Sequence, residues 1–334
     1  MRHWLYNVAA PSVKTKTYLT YRVNIENHAI PVIGHHLLIR LEPEHVEQMH
    51  AQLLAKGLSA KSVLNVHRTV ARALKVAMMR GKLQRNVVTL TTPPSVPRLE
   101  IEPLSREEAR AVLLKSRHLR NGARWAVALG SGLRQGEALG LAWDEVDLTK
   151  GRLHIRWQLQ RLAYEHGCVR RGEDPTCGGK PRACPDRIGG TVFSRPKSRA
   201  GSRDLVLPPP LVEELKAHRK AQLEERLAAG TAWHEGPRGG LVFCQPNGKP
   251  IDPRRDYMDW LALLKAAGVS RHRVHDARHS AATFLLEAGV DVKVVSEILG
   301  HSQSWFTRDT YQHVSQRLQA EAAEQMAAVL WDTN

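Results

Sequence analysis

The sequence predicts a two-part fold. An α-helical N-terminal domain, residues 1–97, precedes a mixed α+β, mostly helical domain with a small antiparallel sheet, residues 98–334. Three observations carry this reading. Apolar residues recur at helical spacing in the segments between 15 and 90. The window TTPPSVPRLEIEPL, 91–104, holds four prolines, which resist helix and sheet alike. Beyond it, helical stretches are interrupted by alternating segments such as RLHIRWQLQR, the pattern of a half-buried strand. At 334 residues the chain is long enough for two cores.

In the first domain, residues 1–14 read as a short extension. TYLTYRVNIENHAI and EPEHVEQMHAQLLAKG are predicted helices, the second closed by Gly57 as a C-cap. SAKSVLNVHRTVARALKVAMMRGKL opens on Ser59, an N-cap residue type. Val63, Val66, Val70, Leu74 and Ala77 then form one apolar stripe. Lys61, Arg68, Arg72 and Lys75 fall on roughly the opposite face, and the helix has no acidic residue. A merely solvated face normally mixes in acids, so this one is assigned to contact with DNA backbone.

Charge agrees. Forty-nine Lys and Arg face 33 Asp and Glu, a net of +16, of which residues 1–97 supply +9. Such a balance points to a polyanion, with a basic solvated surface as the plainer alternative. No run approaches the ~20 apolar residues that span a bilayer, and the N-terminus lacks the apolar core of a signal peptide. Of four cysteines, three crowd one loop, which is not a secreted disulfide framework. The expected compartment is a reducing cytosol.

The second domain opens with SREEARAVLLKS, a helix capped by Ser105 with acids in its first turn. ARWAVALGSGLRQGEALGLAW is apolar enough to be buried and is broken at Gly130 and Gly132. Arg134 follows, flanked by apolar residues. In a crevice it needs an anion, either Glu137 or a ligand. RLHIRWQLQR reads as a strand. TVFSRPKSRAGSRDLVLP reads as a hairpin turning near Ala200–Gly201, with Lys197 among Arg195, Arg199 and Arg203. Cys244, in LVFCQ, reads as a buried strand residue.

RVHDARHS, 273–280, packs two arginines and two histidines against the apolar AATFLLEAGV. On a helix ending at Gly289, His275, Arg278 and His279 share one turn. DVKVVSEILG ends at Gly300, His301 follows, and Tyr311 lies ten residues on. His275 and His279 as a zinc pair is the weaker alternative, because H-E-x-x-H would need a glutamate where Asp276 stands. His313 reads as a supporting residue. The tail helix 314–330 carries Val314, Leu318, Ala322, Met326 and Leu330 or Val329 on one stripe, to pack on its own core or on a neighbouring protomer.

Between two strands, EHGCVRRGEDPTCGGKPRACPDR holds His166, Cys168, Cys177 and Cys184 and almost nothing apolar. Three accounts stay open. The four residues hold a structural zinc tetrahedrally. Two of the thiols form a disulfide, which a reducing cytosol disfavours. Or the thiols are unligated in a loop that touches phosphate through Arg170, Arg171, Lys180 and Arg182.

GLRQGEALGLAWDEVDL, HDARHSAATFLLEAGVDVKVVSEILGHS and TRDTYQHV resemble the signature segments of tyrosine recombinases, the family of phage integrases. The cysteine-bearing loop resembles the actinobacterial and actinophage members most. The resemblance covers nearly the whole chain, with 15–90 similar to the helical core-DNA-binding domain and 103–325 to the catalytic domain. It implies a site-specific DNA recombinase working through a 3′-phosphotyrosine, which integrates or excises a phage or other mobile element. It makes Tyr311 the nucleophile, places Arg134 and Arg278 on the scissile phosphate, and completes the site with Lys197, His275 and His301. It implies no cofactor for catalysis. Its partners would be double-stranded DNA attachment sites, a homotetramer on synapsed DNA, and a host bending protein or directionality factor. The expected place is the cytoplasm of a bacterial host, with no membrane. Many members carry an arm-binding domain ahead of the core-binding one. Here only 1–14 precede it, so either core sites alone are recognised or the chain is a fragment.

The chemistry asks for these residue types independently. A phenol conserves bond energy as a phosphotyrosine. Two guanidiniums can fork onto phosphate oxygens where another enzyme would use a metal. A lysine can protonate the leaving 5′ oxygen, and a histidine can move the phenolic proton with both its forms near at neutral pH. The rival readings are a type IB-like topoisomerase and a non-catalytic DNA-binding regulator on the same fold.

Overall fold

The computed structural model describes residues 1–97, 102–169, 173–196, 199–300, 326–327 and 330. The chain divides into two compact units. One comprises Met1–Glu100 with Glu165–Ile188, the other Ile101–Tyr164 with Gly189–Asn334. The cysteine-bearing loop therefore groups with the first unit, although its sequence position lies inside the second domain.

The first unit is helical. Helix α1 runs through Arg2–Trp4, Leu5–Ala9 and Ala10–Ser12, with a wider π turn in its middle. Residues 1–14 are thus no loose extension. Trp4, Leu5 and Ala9 are buried in one core with Tyr18, Ile25, Met49 and Val66. Helix α2 passes through Thr15–Arg22, Val23–Ala29 and Ile30–Ile33. Helix α3 is Pro43–Ala55 and α4 is Ala60–Met79. Ser59 caps α4, its Oγ accepting from the Ser62 N–H at 3.2 Å. Val63, Val66, Val70 and Leu74 are buried, while Lys61, Arg68, Arg72 and Lys75 are exposed. The period of the helix separates the two sets as the sequence requires. Glu165, at the root of the cysteine loop, is buried and ion-pairs with Arg22.

The second unit opens with α5, Arg106–Ser116, whose Ser105 and Glu108 form a reciprocal capping box. Helix α6, Ala123–Ser131, is buried almost throughout and ends at Gly132 in the left-handed region, φ 63°. Gly130 stays inside the helix instead of breaking it. Helix α7 is the short Gln135–Leu139.

The strands are β1 Val146–Asp147, β2 Arg152–Ile155, β3 Gln158–Glu165, β4 Ile188–Ser194 and β5 Arg203–Val206. They form two sheets. One is antiparallel in the order β1-β2-β5, with Arg152 opposite Val206 and Ile155 opposite Arg203; the other pairs β3 with β4. Two expectations change. RLHIRWQLQR is two strands of different sheets, parted at Arg156–Trp157. TVFSRPKSRAGSRDLVLP is not a hairpin, because β4 and β5 belong to different sheets. In LVFCQ, Leu241 to Cys244 are buried and Gln245 is exposed, and the segment makes isolated bridges, Ala142 with Leu241 and Cys244 with Pro250.

Helices α8 Pro209–Ala229, α9 Pro253–Ala266, α10 Val274–Glu287 and α11 Val292–Leu299 complete the unit. One core gathers Val127, Leu139, Leu153, Leu215 and Phe243. A second joins Trp125 to Trp260, ring centres 5.1 Å apart, with Leu263 and Ala277. Among the described residues no helix is long and apolar enough to cross a membrane.

Candidate active site

Two arginines meet where α6 and α11 end. Gly132 turns the chain out of α6, so its carbonyl points back toward α10 and accepts from Arg278 Nη1 at 2.8 Å. Arg278 Nη2 donates to the Leu299 carbonyl at the end of α11. Gly300, left-handed at φ 65°, offers its carbonyl to Arg134 Nη2 at 3.1 Å. Both glycines are required sterically as well as conformationally. A Cβ on Gly132 would stand 2.5 Å from Leu299 Cδ2, and one on Gly300 2.6 Å from the Ala200 carbonyl oxygen.

Arg134 is the N-cap of α7. Its backbone N–H donates to Glu137 Oε2 at 3.0 Å, and its Nη1 pairs with Glu137 Oε1 at 2.6 Å. At the first turn of the same helix, Gln135 Nε2 donates to Asp256 Oδ2 at 2.9 Å and the Pro253 carbonyl at 2.8 Å. The Arg134 side chain is 35 % exposed, whereas Arg278 is 3 % exposed.

Glu137 is shared. Arg203, buried on β5, pairs with it at 3.0 Å and donates through Nε to the Ile298 carbonyl at 2.6 Å. Burial works to raise the Glu137 pKa, but Arg203 and then Arg134 outweigh it and hold the carboxyl below its usual range. The result is two guanidiniums around one ionised carboxylate.

His275 and His279 sit on the first turns of α10, rings edge to face at 4.9 Å. His279 is buried, which holds it below its ordinary pKa. His275 itself is exposed. Partial desolvation, then His279, Arg278 and Arg134, push its pKa down to about 4. Water at its surface screens part of that repulsion. In the free protein His275 is therefore neutral at pH 7, rather than balanced between two forms. Arginine side chains aimed by backbone carbonyls make a poor seat for a divalent metal and a good one for an oxyanion.

The structure brings Arg134, Arg278 and His275 together. Lys197, His301, Tyr311, His313, Arg170 and Arg171 lie outside the described residues, as does the tail 314–330 apart from Met326, Ala327 and Leu330. Sequence reasoning missed the work of Arg203 and the sharing of Glu137. Signals existed for both. Glu137 stands three residues after Arg134, the capping-box spacing. Arg203 alternates with the apolar Leu205 and Leu207.

In the first unit, the ligand atoms of His166, Cys168, Cys177 and Cys184 all lie within 4.8 Å of one another. Cys177 Sγ is 3.3 Å from His166 Nδ1 and Cys168 Sγ 4.0 Å from it. Bonds of ~2.3 Å and ~2.0 Å around tetrahedral zinc put neighbouring ligand atoms about 3.5–3.8 Å apart, so the donor set and its scale both fit. All four cysteines are free thiols, and Cys184 is fully buried.

Residues 206–317 match the model of the phage integrase family, and 1–54 match the SAM-like N-terminal domain of phage integrases. An integrase of Saccharopolyspora erythraea is 37 % identical over 367 aligned positions, covering all of this chain and 82 % of that protein. A XerC-like tyrosine recombinase of Caldanaerobacter subterraneus is 29 % identical, over 97 % of this chain and 81 % of the relative. Among solved structures, the Tn1549 transposon integrase, in complex with transposon right end DNA, superposes with a TM-score of 0.73 at 18 % identity. That match covers 94 % of this chain and 96 % of the other.

Proposed function

The chain belongs to the phage integrase family and is a tyrosine site-specific recombinase, and from that premise we propose that Arg134 and Arg278 clamp the scissile phosphate of duplex DNA while Tyr311 attacks it. The observation that carries this is the pair of arginines seated on the Gly132, Leu299 and Gly300 carbonyls. Fixed donors that need no reorganisation are what stabilises charge developing on a phosphoryl group.

The step balances as a transesterification. The Tyr311 oxygen bonds to phosphorus, the bond from phosphorus to the 5′ oxygen breaks, and the DNA keeps a 3′-phosphotyrosine and a free 5′ hydroxyl. Lys197 gives the departing 5′ oxygen its proton. His275, neutral before DNA binds, and His301 take or share the phenolic proton and hydrogen-bond a phosphoryl oxygen. Attack by the 5′ hydroxyl of a second duplex reverses the step and exchanges strands. In this reading four protomers act on two synapsed attachment sites, in the cytoplasm of a bacterial host. They integrate or excise a mobile element, with a host bending protein or directionality factor biasing the outcome. Residues 1–97 form the core-DNA-binding domain, laying Lys61, Arg68, Arg72 and Lys75 along the backbone, and 98–334 form the catalytic domain. Catalysis needs no cofactor.

His166, Cys168, Cys177 and Cys184 hold a structural zinc. The metal would supply the order that a loop with so little apolar surface lacks. Metal analysis of untagged protein should find about one zinc per chain, lost in a Cys177→Ser, Cys184→Ser variant. Four freely titrating thiols and no zinc would end this reading.

The central test uses nicked suicide DNA. The parent should form a protein–DNA adduct that survives denaturation and joins products from two specific sites. Tyr311→Phe should bind the same DNA and form no adduct. An adduct in that variant would overturn the nucleophile assignment. Relaxation of supercoils without joined products would favour a topoisomerase.

A further inference from the structure

Trp157 stands at the break between β2 and β3, where the chain leaves one small sheet for the other. Between β4 and β5 the chain returns from the second sheet to the first, and Lys197 lies in that stretch of sequence. The two crossings are tied together. The Arg195 guanidinium lies over the Trp157 ring, 5.4 Å from its centre, and Gln158 Nε2 donates to the Arg195 carbonyl at 3.2 Å. Arg238 lies over the same ring at 4.6 Å and over the Phe193 ring at 5.5 Å.

Arg238 reaches the catalytic helix as well. Its Nη2 donates at 3.2 Å to the carbonyl of Gly140, the residue that closes the helix begun by Arg134. Its Nε stands 3.6 Å from Glu145 Oε1. Among the described residues Arg238 is the one non-glycine with positive φ, 52°. A residue with a Cβ holds that conformation only where its surroundings impose it. Cation–π contacts to Trp are the strongest of their kind and fix a guanidinium over a broad, rigid surface.

We propose that Trp157 and Arg238 are positioning residues for Lys197. They fix the root of its connection, two residues before the lysine, against the helix that presents Arg134. This rests on the reading of Lys197 as the general acid, and a change of leaving atom separates the two ideas.

The experiment compares suicide duplexes with an ordinary 5′ bridging oxygen and with a 5′ bridging sulfur at the scissile phosphate. A thiolate leaves without a proton, so a defect in acid catalysis disappears on the sulfur duplex. Lys197→Ala should be at least about a hundredfold slow on oxygen and near the parent on sulfur. Trp157→Ala and Arg238→Gly should show the same selectivity with a smaller defect, about tenfold on oxygen, and Trp157→Phe should recover most of it. Arg134→Ala should be slow on both. Arg195→Met, which keeps the stem and removes the cation, serves if Trp157→Ala does not fold. DNA affinity is measured for each variant. Rescue of Lys197→Ala without rescue of the Trp157, Arg195 or Arg238 variants would overturn the positioning role. It would mark the cluster as a fold or DNA-contact element. No rescue of Lys197→Ala would overturn the general-acid reading, and the proposal with it.

Discussion

Arg278 donates one guanidinium nitrogen to the Gly132 carbonyl and another to the Leu299 carbonyl, so one side chain joins the ends of two helices. Its direction is set before any phosphate arrives. Arg278→Lys keeps the charge but cannot make both bonds, because an ammonium is a point donor on a floppy stem. Cleavage of suicide DNA should fall on the order of a hundredfold, with affinity for core-site DNA changed only a few-fold. A lysine variant cleaving at the parental rate would show that geometry at this position is unimportant.

Gly132→Ala and Gly300→Ala should differ in how they can be repaired. Each forces an L side chain to positive φ, costing about 1–3 kcal/mol and lowering the melting temperature by roughly 5 °C. At Gly132 the obstructing atom is a side-chain methyl, Leu299 Cδ2; at Gly300 it is a backbone oxygen. Leu299→Ala should therefore partly suppress the strain in the Gly132 variant, beyond its own cavity cost, in a double-mutant cycle. Additivity within about 0.5 kcal/mol would argue against the contact.

Much of this site was legible in the sequence, and the reason is local. Arg134 behind Gly-Ser-Gly, and Arg278 one turn after His275, announce themselves through short-range spacing, as do the caps Ser59 and Ser105. What could not be read depends on distant partners. RLHIRWQLQR alternates continuously, so nothing local says that Trp157 ends one sheet and Gln158 starts another. Arg203 resembles its neighbours Arg195 and Arg199 until β5 pairs with β2 and turns it inward. Residues 1–14 read as an extension because their three core residues are spread over a helix with a π turn, which blurs the 3.6 period.

Glu137→Gln removes the shared carboxylate and leaves Arg203 with no buried counterion. Loss of one partner from a buried pair costs about 3–5 kcal/mol. The acid limb of stability should change too. The folded carboxyl titrates below its unfolded value, so its contribution is complete above the usual glutamate pKa of about 4.3 and is lost as pH falls through the lower, folded pKa. The parent should lose stability over that window and the Gln variant should lose less of it. Parallel acid limbs would mean that Glu137 is not ionised in the folded protein.

His275 should titrate at about 4 in the free protein, far below the usual 6.5 or so. Because the unfolded chain then binds the extra proton first, the group makes folding less favourable as pH drops from about 6.5 towards 4. His275→Asn should flatten that part of the curve. Imidazole ¹⁵N shifts followed by NMR would give the value directly. Inorganic vanadate, a phosphate mimic between the arginines, should move it upward. A free-protein value near 6.5 would contradict the crowding by Arg134, Arg278 and His279.

Arg134 waits for a carbonyl made 166 residues later, and Arg278 reaches back 146 residues to Gly132. A ribosome therefore releases the parts of the proposed phosphate clamp long before they can meet. Contacts this far apart along the chain form late and depend on finished helix ends. A recombinase is dangerous when half made, and here the unfinished polypeptide has the cations without the carbonyls that aim them. On the proposed reading, a chain that stops short of Gly300 lacks the carbonyl that seats Arg134 and the tyrosine that would attack, so it could not cleave.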